Sequence, residues 1–170
     1  MGSPWCWLAA EAAGGGPEWT PVHMPAALAE VDRAEIERRA AEQGLLDVVW
    51  PEPFPFDSRL AMLAATFAKQ SGRAVAFSLA AMRQAFAAGR DLAVVDNVLL
   101  AAAACELHPR AVLKGVESRG AADALASATD RAVALGVTEL PALVYGSNEV
   151  VTGVELVDRL SRSSAELGSP

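Results

Sequence analysis

Apolar residues recur along most of this chain at intervals of three and four, the period of a helix with one buried face. The clearest stripe is Leu60, Leu63, Ala64, Phe67 and Ala68, which predicts a long helix capped by Asp57 or Ser58 and broken at Gly72. Val75, Leu79, Met82 and Phe86 mark the next helix, ended by Gly89. Asp96 or its neighbour opens an alanine-rich helix, Pro109 opens a short one, and residues 121–135 form another, stopped by Gly136. Nearer the start, Ser3-Pro4 ahead of residues 5–13 reads as a helix beginning, because Ser caps free amides and Pro suits the first helical position. The glycines at 14–16 and Pro17 end that helix. Residues 32–43 carry helical signals again, with Ile36 on a charged surface and Gly44 as the stop.

Strand patterns are few. Residues 18–24 are a short strand candidate through Trp19 and Val22, demoted toward an edge by Pro21. Residues 140–145 and 149–152 are a strand pair joined by a tight turn at 146–148. Gly153 then leads into a last helix over residues 155–161, and the tail from 163 to 170 is expected to fray. Between the helices, residues 45–50 lead into Pro51-Glu-Pro-Phe-Pro-Phe56, which cannot be a helix interior. The order is strand, many helices, hairpin, helix. It predicts an α/β domain with a large helical insertion.

Composition narrows the class. A chain of 170 residues makes one domain and buries a sizeable core without a disulfide scaffold. With 52% hydrophobic and 21% charged residues it is not disordered. Its 36 alanines point to closely packed helices. A net charge of -7 and no basic tract leave little to neutralise phosphates with and argue against nucleic-acid binding. The first 13 residues lack the pattern of a signal peptide, and the apolar run at 94–107 is too short and too interrupted to span a bilayer. A soluble, cytoplasmic protein is expected, with no membrane or nucleic-acid partner. Cys105 reads as a small buried hydrophobe. His23 and His108 lie far apart, and no cluster has metal-ligand spacing, so no metal site is expected.

The chemistry gathers at the first helix. Ser3 and Cys6 are three apart and share one side of its first turn. Free N–H groups and the dipole there stabilise an anion, a thiolate included. With Ser at the first position the dithiol chemistry of Cys-x-x-Cys is unavailable. A serine hydroxyl can still donate to an external thiolate such as that of glutathione, and Cys6 stands where a resolving cysteine would. The bland alternatives are a capping serine and a buried Cys6.

Ser3-Pro4-Trp5-Cys6-Trp7-Leu8, together with Gly136-Val-Thr-Glu-Leu140-Pro141-Ala-Leu-Val144, resembles the DsbA-type thioredoxin fold. The proline-rich segment 50–58, Arg59-Leu-Ala-Met62 and Gly89-Arg-Asp-Leu92 resemble its glutathione-dependent branch, the 2-hydroxychromene-2-carboxylate isomerases and kappa-class glutathione transferases. The resemblance implies a thioredoxin-like domain over residues 1–170, with the insertion at about 32–135. It implies that Ser3 hydrogen-bonds the glutathione sulfur, that Pro141 is cis, and that the Leu140 backbone pairs with the glutathione cysteine. Three departures stand out. The family's strand before the serine is absent, since only Met1-Gly2 precede Ser3. The run Gly153-Val-Glu-Leu156 offers Glu155 for the glutathione amino group but places Val154 where a polar side chain is usual. The loop at 24–32 is short.

The leading expectation is a glutathione-dependent isomerase or transferase acting on a small aromatic substrate. Ser3 and Cys6 are its catalytic pair, Leu140, Pro141 and Glu155 its cofactor contacts, and Trp5, Trp7, Phe54 and Phe56 its apolar wall. Two alternatives remain open: a thiol–disulfide oxidoreductase working through Cys6, and a scaffold with a decayed site. An uncovered sheet could support a homodimer.

Overall fold

The computed structural model describes residues 1–13, 16–27, 31–146 and 149–167. Helices form where the stripes predict them: α1 (Pro4–Ala13), α2 (Arg33–Glu42), α3 (Arg59–Gln70), α4 (Ala74–Phe86), α5 (Val95–Ala104), α6 (Pro109–Val116) and α7 (Arg119–Ala134). The hairpin of β1 (Ala142–Val144) and β2 (Val150–Thr152) follows, and α8 (Gly153–Leu167) closes the order. Local capping accounts for several starts. Asp32 accepts from the N–H groups of Ala34 and Glu35 at 3.0 and 3.3 Å, and Ser118 from that of Ala121 at 3.1 Å. At α3 it is Asp57 that accepts the Arg59 N–H, at 2.8 Å, while Ser58 makes no side-chain cap.

Small side chains set the packing. Ala61, Ala64, Ala65 and Ala68 of α3 are fully buried, as are Ala81 and Ala85 of α4 and Ala101 and Ala102 of α5. Gly115 carries this furthest, because a Cβ there would lie 2.4 Å from Cδ2 of Phe67. α6 therefore sits directly on the Phe67 ring of α3. On the other side α1 packs against α8, α4 and α2. Trp7 and Leu8 are buried in that core, and the Trp7 ring stacks on Phe86 at 5.9 Å. Cys105 is buried as expected, its Sγ donating to the Ala101 carbonyl at 2.9 Å.

Among the described residues the sheet is the hairpin alone, antiparallel with Leu143 opposite Val151. Two strands are marginal by themselves; here Val151, Leu156 and Val157 are buried where the hairpin meets α8. Residues 18–24 correct the sequence expectation, for they are irregular rather than a strand. Pro17, Pro21 and Pro25 withhold N–H donors, and among the described residues no strand lies alongside to pair with. Side chains hold the segment instead. Lys69 reaches Glu18 and the Thr20 hydroxyl, each at 2.8 Å, and the His23 N–H donates to Thr129 Oγ1 at 3.0 Å. The last helix is a second correction, running on to Leu167 beyond the expected end at 161. The expected stop at 14–15, the turn residues 147–148 and residues 168–170 of the expected tail lie outside the described residues. Among the described residues no helix is long and apolar enough to cross a membrane.

Candidate functional site

Ser3 immediately precedes α1, and its carbonyl accepts the N–H groups of Cys6 and Trp7 at 3.1 and 3.4 Å. Its side chain behaves differently from a cap. The residue is 3% exposed, and Oγ meets no partner with full hydrogen-bond geometry, although it lies close enough to the Cys6 thiol to pull that group down. A buried hydroxyl left in that state costs about 1–3 kcal/mol, so the arrangement has to be compensated elsewhere in the fold or by a ligand.

The hydroxyl belongs to a cavity of about 20 Å³ lined by Met1, Gly2, Ser3, Cys6, Val22, His23, Met24, Pro25, Ser58 and Leu140. Four stretches of chain converge on it. The α1 start brings Ser3 and Cys6, and the residue before α3 brings Ser58, which backs Gly2 so closely that a Cβ on Gly2 would lie 3.2 Å from Ser58 Oγ. The irregular segment, pinned to α7 through Thr129, brings residues 22–25. The turn ahead of β1 brings Leu140, whose bond to Pro141 is cis. The Pro141 carbonyl accepts the Gly153 N–H at 2.7 Å, tying that turn to the start of α8.

Two titratable side chains face this space, beside the Met1 amino group, which burial lowers. Burial pushes the Cys6 thiol up, outweighing the amino terminus and the neighbouring Ser3 side chain, which both pull it down. That direction runs against the lowered thiol a disulfide mechanism through Cys6 would use. His23 moves the other way. Burial lowers its imidazole, opposed by the Asp57 carboxylate and assisted by Arg59 and the amino terminus. Its Nε2 lies 3.8 Å from Asp57 Oδ1, an ion-pair separation rather than a hydrogen bond.

The remaining expected site residues are elsewhere. Trp5 and Trp7 are 5% and 1% exposed and lie in the core instead of lining the cavity. Trp5 sits beneath the Arg39 guanidinium at 5.3 Å, and Trp7 Nε1 donates to Glu11 at 3.0 Å. Phe54 and Phe56 join Trp50 and Phe86 in an aromatic cluster with centroids 5.1 to 6.4 Å apart. A turn of stiff prolines directs these rings inward, which composition alone does not reveal. Glu155 is exposed, pairs with Arg159 at 2.8 Å and does not line the cavity. Sequence reading passed over Val22, His23, Met24 and Ser58 as site residues. For the first three the one legible signal was the Pro21/Pro25 bracket, which marks an irregular segment free to turn side chains inward.

No family model matches the chain, and no curated protein does either. Solved structures do. A 2-hydroxychromene-2-carboxylate isomerase superposes with a TM-score of 0.77 at 17% identity, over 99% of this chain and 96% of that one. A Nitrosomonas europaea chain provisionally assigned as a protein disulfide isomerase gives a TM-score of 0.65, also at 17% identity, over 98% and 94%. At that identity the likeness is one of fold. The chain thus has a helix-rich fold similar to that of DsbA-like, thioredoxin-fold proteins, with the turn ahead of its hairpin and its Ser3 helix end meeting at one cavity.

Proposed function

We propose that this protein is a glutathione-dependent isomerase or transferase acting on a small aromatic molecule. The observation that carries the reading is Ser3 Oγ, buried and without a partner at the start of α1. A hydroxyl so placed is a ready donor to a thiolate, and the helix dipole favours the same charge. The cavity suits that role in size, since about 20 Å³ takes one small group such as a sulfur. The rest of the tripeptide then belongs outside it. Leu140 is the resemblance-implied contact that reaches the cavity. When bound, glutathione supplies the nucleophilic sulfur. Ser3 holds that sulfur, and Val22, Met24 and Leu140 keep water from it. The structural neighbour is named for 2-hydroxychromene-2-carboxylate, and a substrate of that aromatic class is the one we propose here. The raised Cys6 thiol argues against the disulfide alternative.

Thermal melting with and without millimolar reduced glutathione tests the reading. Binding at about 100 times Kd stabilises by about 2.7 kcal/mol, which moves the midpoint by about 5–10 °C in a chain of this size. Ser3→Ala is expected to weaken that shift and to lower glutathione-dependent turnover by about 10- to 100-fold, the worth of one hydrogen bond to a charged group. A wild-type melt unmoved by glutathione would discard the proposal in favour of a scaffold without the activity.

A further inference from the structure

The two sides of α5 differ in kind. Val98, Ala101, Ala102 and Cys105 recur at three and four residues and are buried where α5 meets α4 and α3. On the opposite side Asp96, Leu100, Ala103 and Ala104 share a face and are exposed. No charge interrupts the chain between Asp96 and Glu106. The exposed side of α2, by contrast, is laced with the Glu35–Arg38 and Arg38–Glu42 ion pairs. Leu100 is 45% exposed, well beyond what its apolar surface favours in water.

Charge stands at the two ends of this apolar stretch with opposite sign. Asp96 lies in the first turn of α5, and Arg110 follows the far end of the helix as an exposed residue of α6. Among the described residues neither makes an ion pair within the chain. The charges around them are accounted for. Glu106 pairs with Arg73 at 3.0 Å. Arg90 and Asp91 ahead of the helix offset each other, as do Lys114 and Glu117 along α6.

Independently of the glutathione reading, we infer that this face of α5 joins two copies of the chain, packed antiparallel about a twofold axis. Leu100 and Ala103 of each copy then pack on the same face of the other, and Asp96 of each meets Arg110 of the partner subunit. The charge pattern is what selects a second copy as the occupant. A twofold contact must be self-complementary. A stripe with an anion at one end and a cation beyond the other meets that requirement when it is laid against its own reverse. Antiparallel packing also sets the positive end of each helix dipole beside the negative end of its neighbour. With 10 residues, α5 is about 15 Å long. The contact is therefore at the small end of specific interfaces, and the association belongs in the micromolar range.

Sedimentation equilibrium of the full chain between about 5 and 500 μM brackets such a Kd. Wild type is expected to pass from 17.7 kDa to twice that mass. Leu100→Glu, with far-UV circular dichroism unchanged, should weaken association by about 100-fold or more, because it seats an unpaired charge in the contact. Asp96→Arg and Arg110→Asp should each weaken it by about tenfold or more, since each sets like charges together twice across the axis. Mixing those two variants is the decisive measurement. In the mixed dimer both cross-axis pairs are again opposite in sign, so the mixture should associate about as tightly as wild type while neither variant does so alone. Wild type that stays monomeric throughout the range overturns the inference. A dimer that Leu100→Glu leaves intact overturns it as well, as does a mixture no tighter than its components. Should Leu100→Glu not fold, the mixing result decides by itself.

Discussion

At Cys6 two effects of the same helix end oppose each other. The dipole and the nearby Ser3 side chain favour a thiolate, whereas enclosure by the core strips water from it. Burial wins, and the thiol lies above its ordinary value of 9.0. Alkylation with iodoacetamide should therefore show a pH midpoint above 9 for Cys6 in the native chain and accelerate on denaturation. Peptide mass spectrometry separates it from Cys105, whose thiol burial also raises. A Cys6 midpoint below 7 would restore the disulfide mechanism. Ser3 illustrates the complementary case. Its identity and place before Pro4 are what any capped helix would show. Only the missing partner at Oγ distinguishes a binding hydroxyl from a cap.

Between elements, the contact of α3 with α6 is governed by one absent side chain. Glycine inside a helix ordinarily costs about 0.5–1 kcal/mol relative to alanine. At Gly115 the added methyl would meet the Phe67 ring at 2.4 Å, and overpacking of that kind costs about 1–3 kcal/mol. The second effect exceeds the first, so Gly115→Ala should lower the melting midpoint. Gly120→Ala, on α7 where a Cβ meets nothing within 4 Å, should raise it slightly. The pair of melts isolates packing from propensity. The stripe of α3 was legible in sequence because its period repeats over twelve residues. The irregularity of residues 18–24 was not, because a strand depends on a neighbour that local pattern cannot supply.

Across the whole molecule, Arg39 joins three helices. It donates to Glu35 on its own helix at 2.6 Å, pairs with Asp158 of α8 and covers Trp5 of α1 at 5.3 Å. Hydrogen bonds from Arg38 and Arg39 depress the Glu35 carboxyl to about 2 from an ordinary 4.5. A depressed acid stabilises the fold fully above its unfolded value and ceases to do so as pH falls through the folded one. Urea midpoints should thus decline between pH 4.5 and about 2, and Glu35→Gln should flatten the part of that slope due to this group. An unaltered slope in the variant would mean that other carboxylates govern acid unfolding.

The helices, the hairpin and the Ser3 helix start were determined by the sequence alone, because each rests on periodicity, capping or turn chemistry within a few residues. Tertiary structure decided what surrounds Ser3. Trp5, Trp7, Phe54 and Phe56 carried the sequence signal of a substrate wall; packing buries Trp5, Trp7 and Phe56 for their large apolar area and leaves Phe54 half-buried beside them. His23 and Met24 carried only the Pro21/Pro25 bracket, and reach the site because Thr129, more than a hundred residues away, anchors their segment. A cavity is made by stretches that meet only in the folded chain, so its chemistry becomes readable once long-range packing has brought them together.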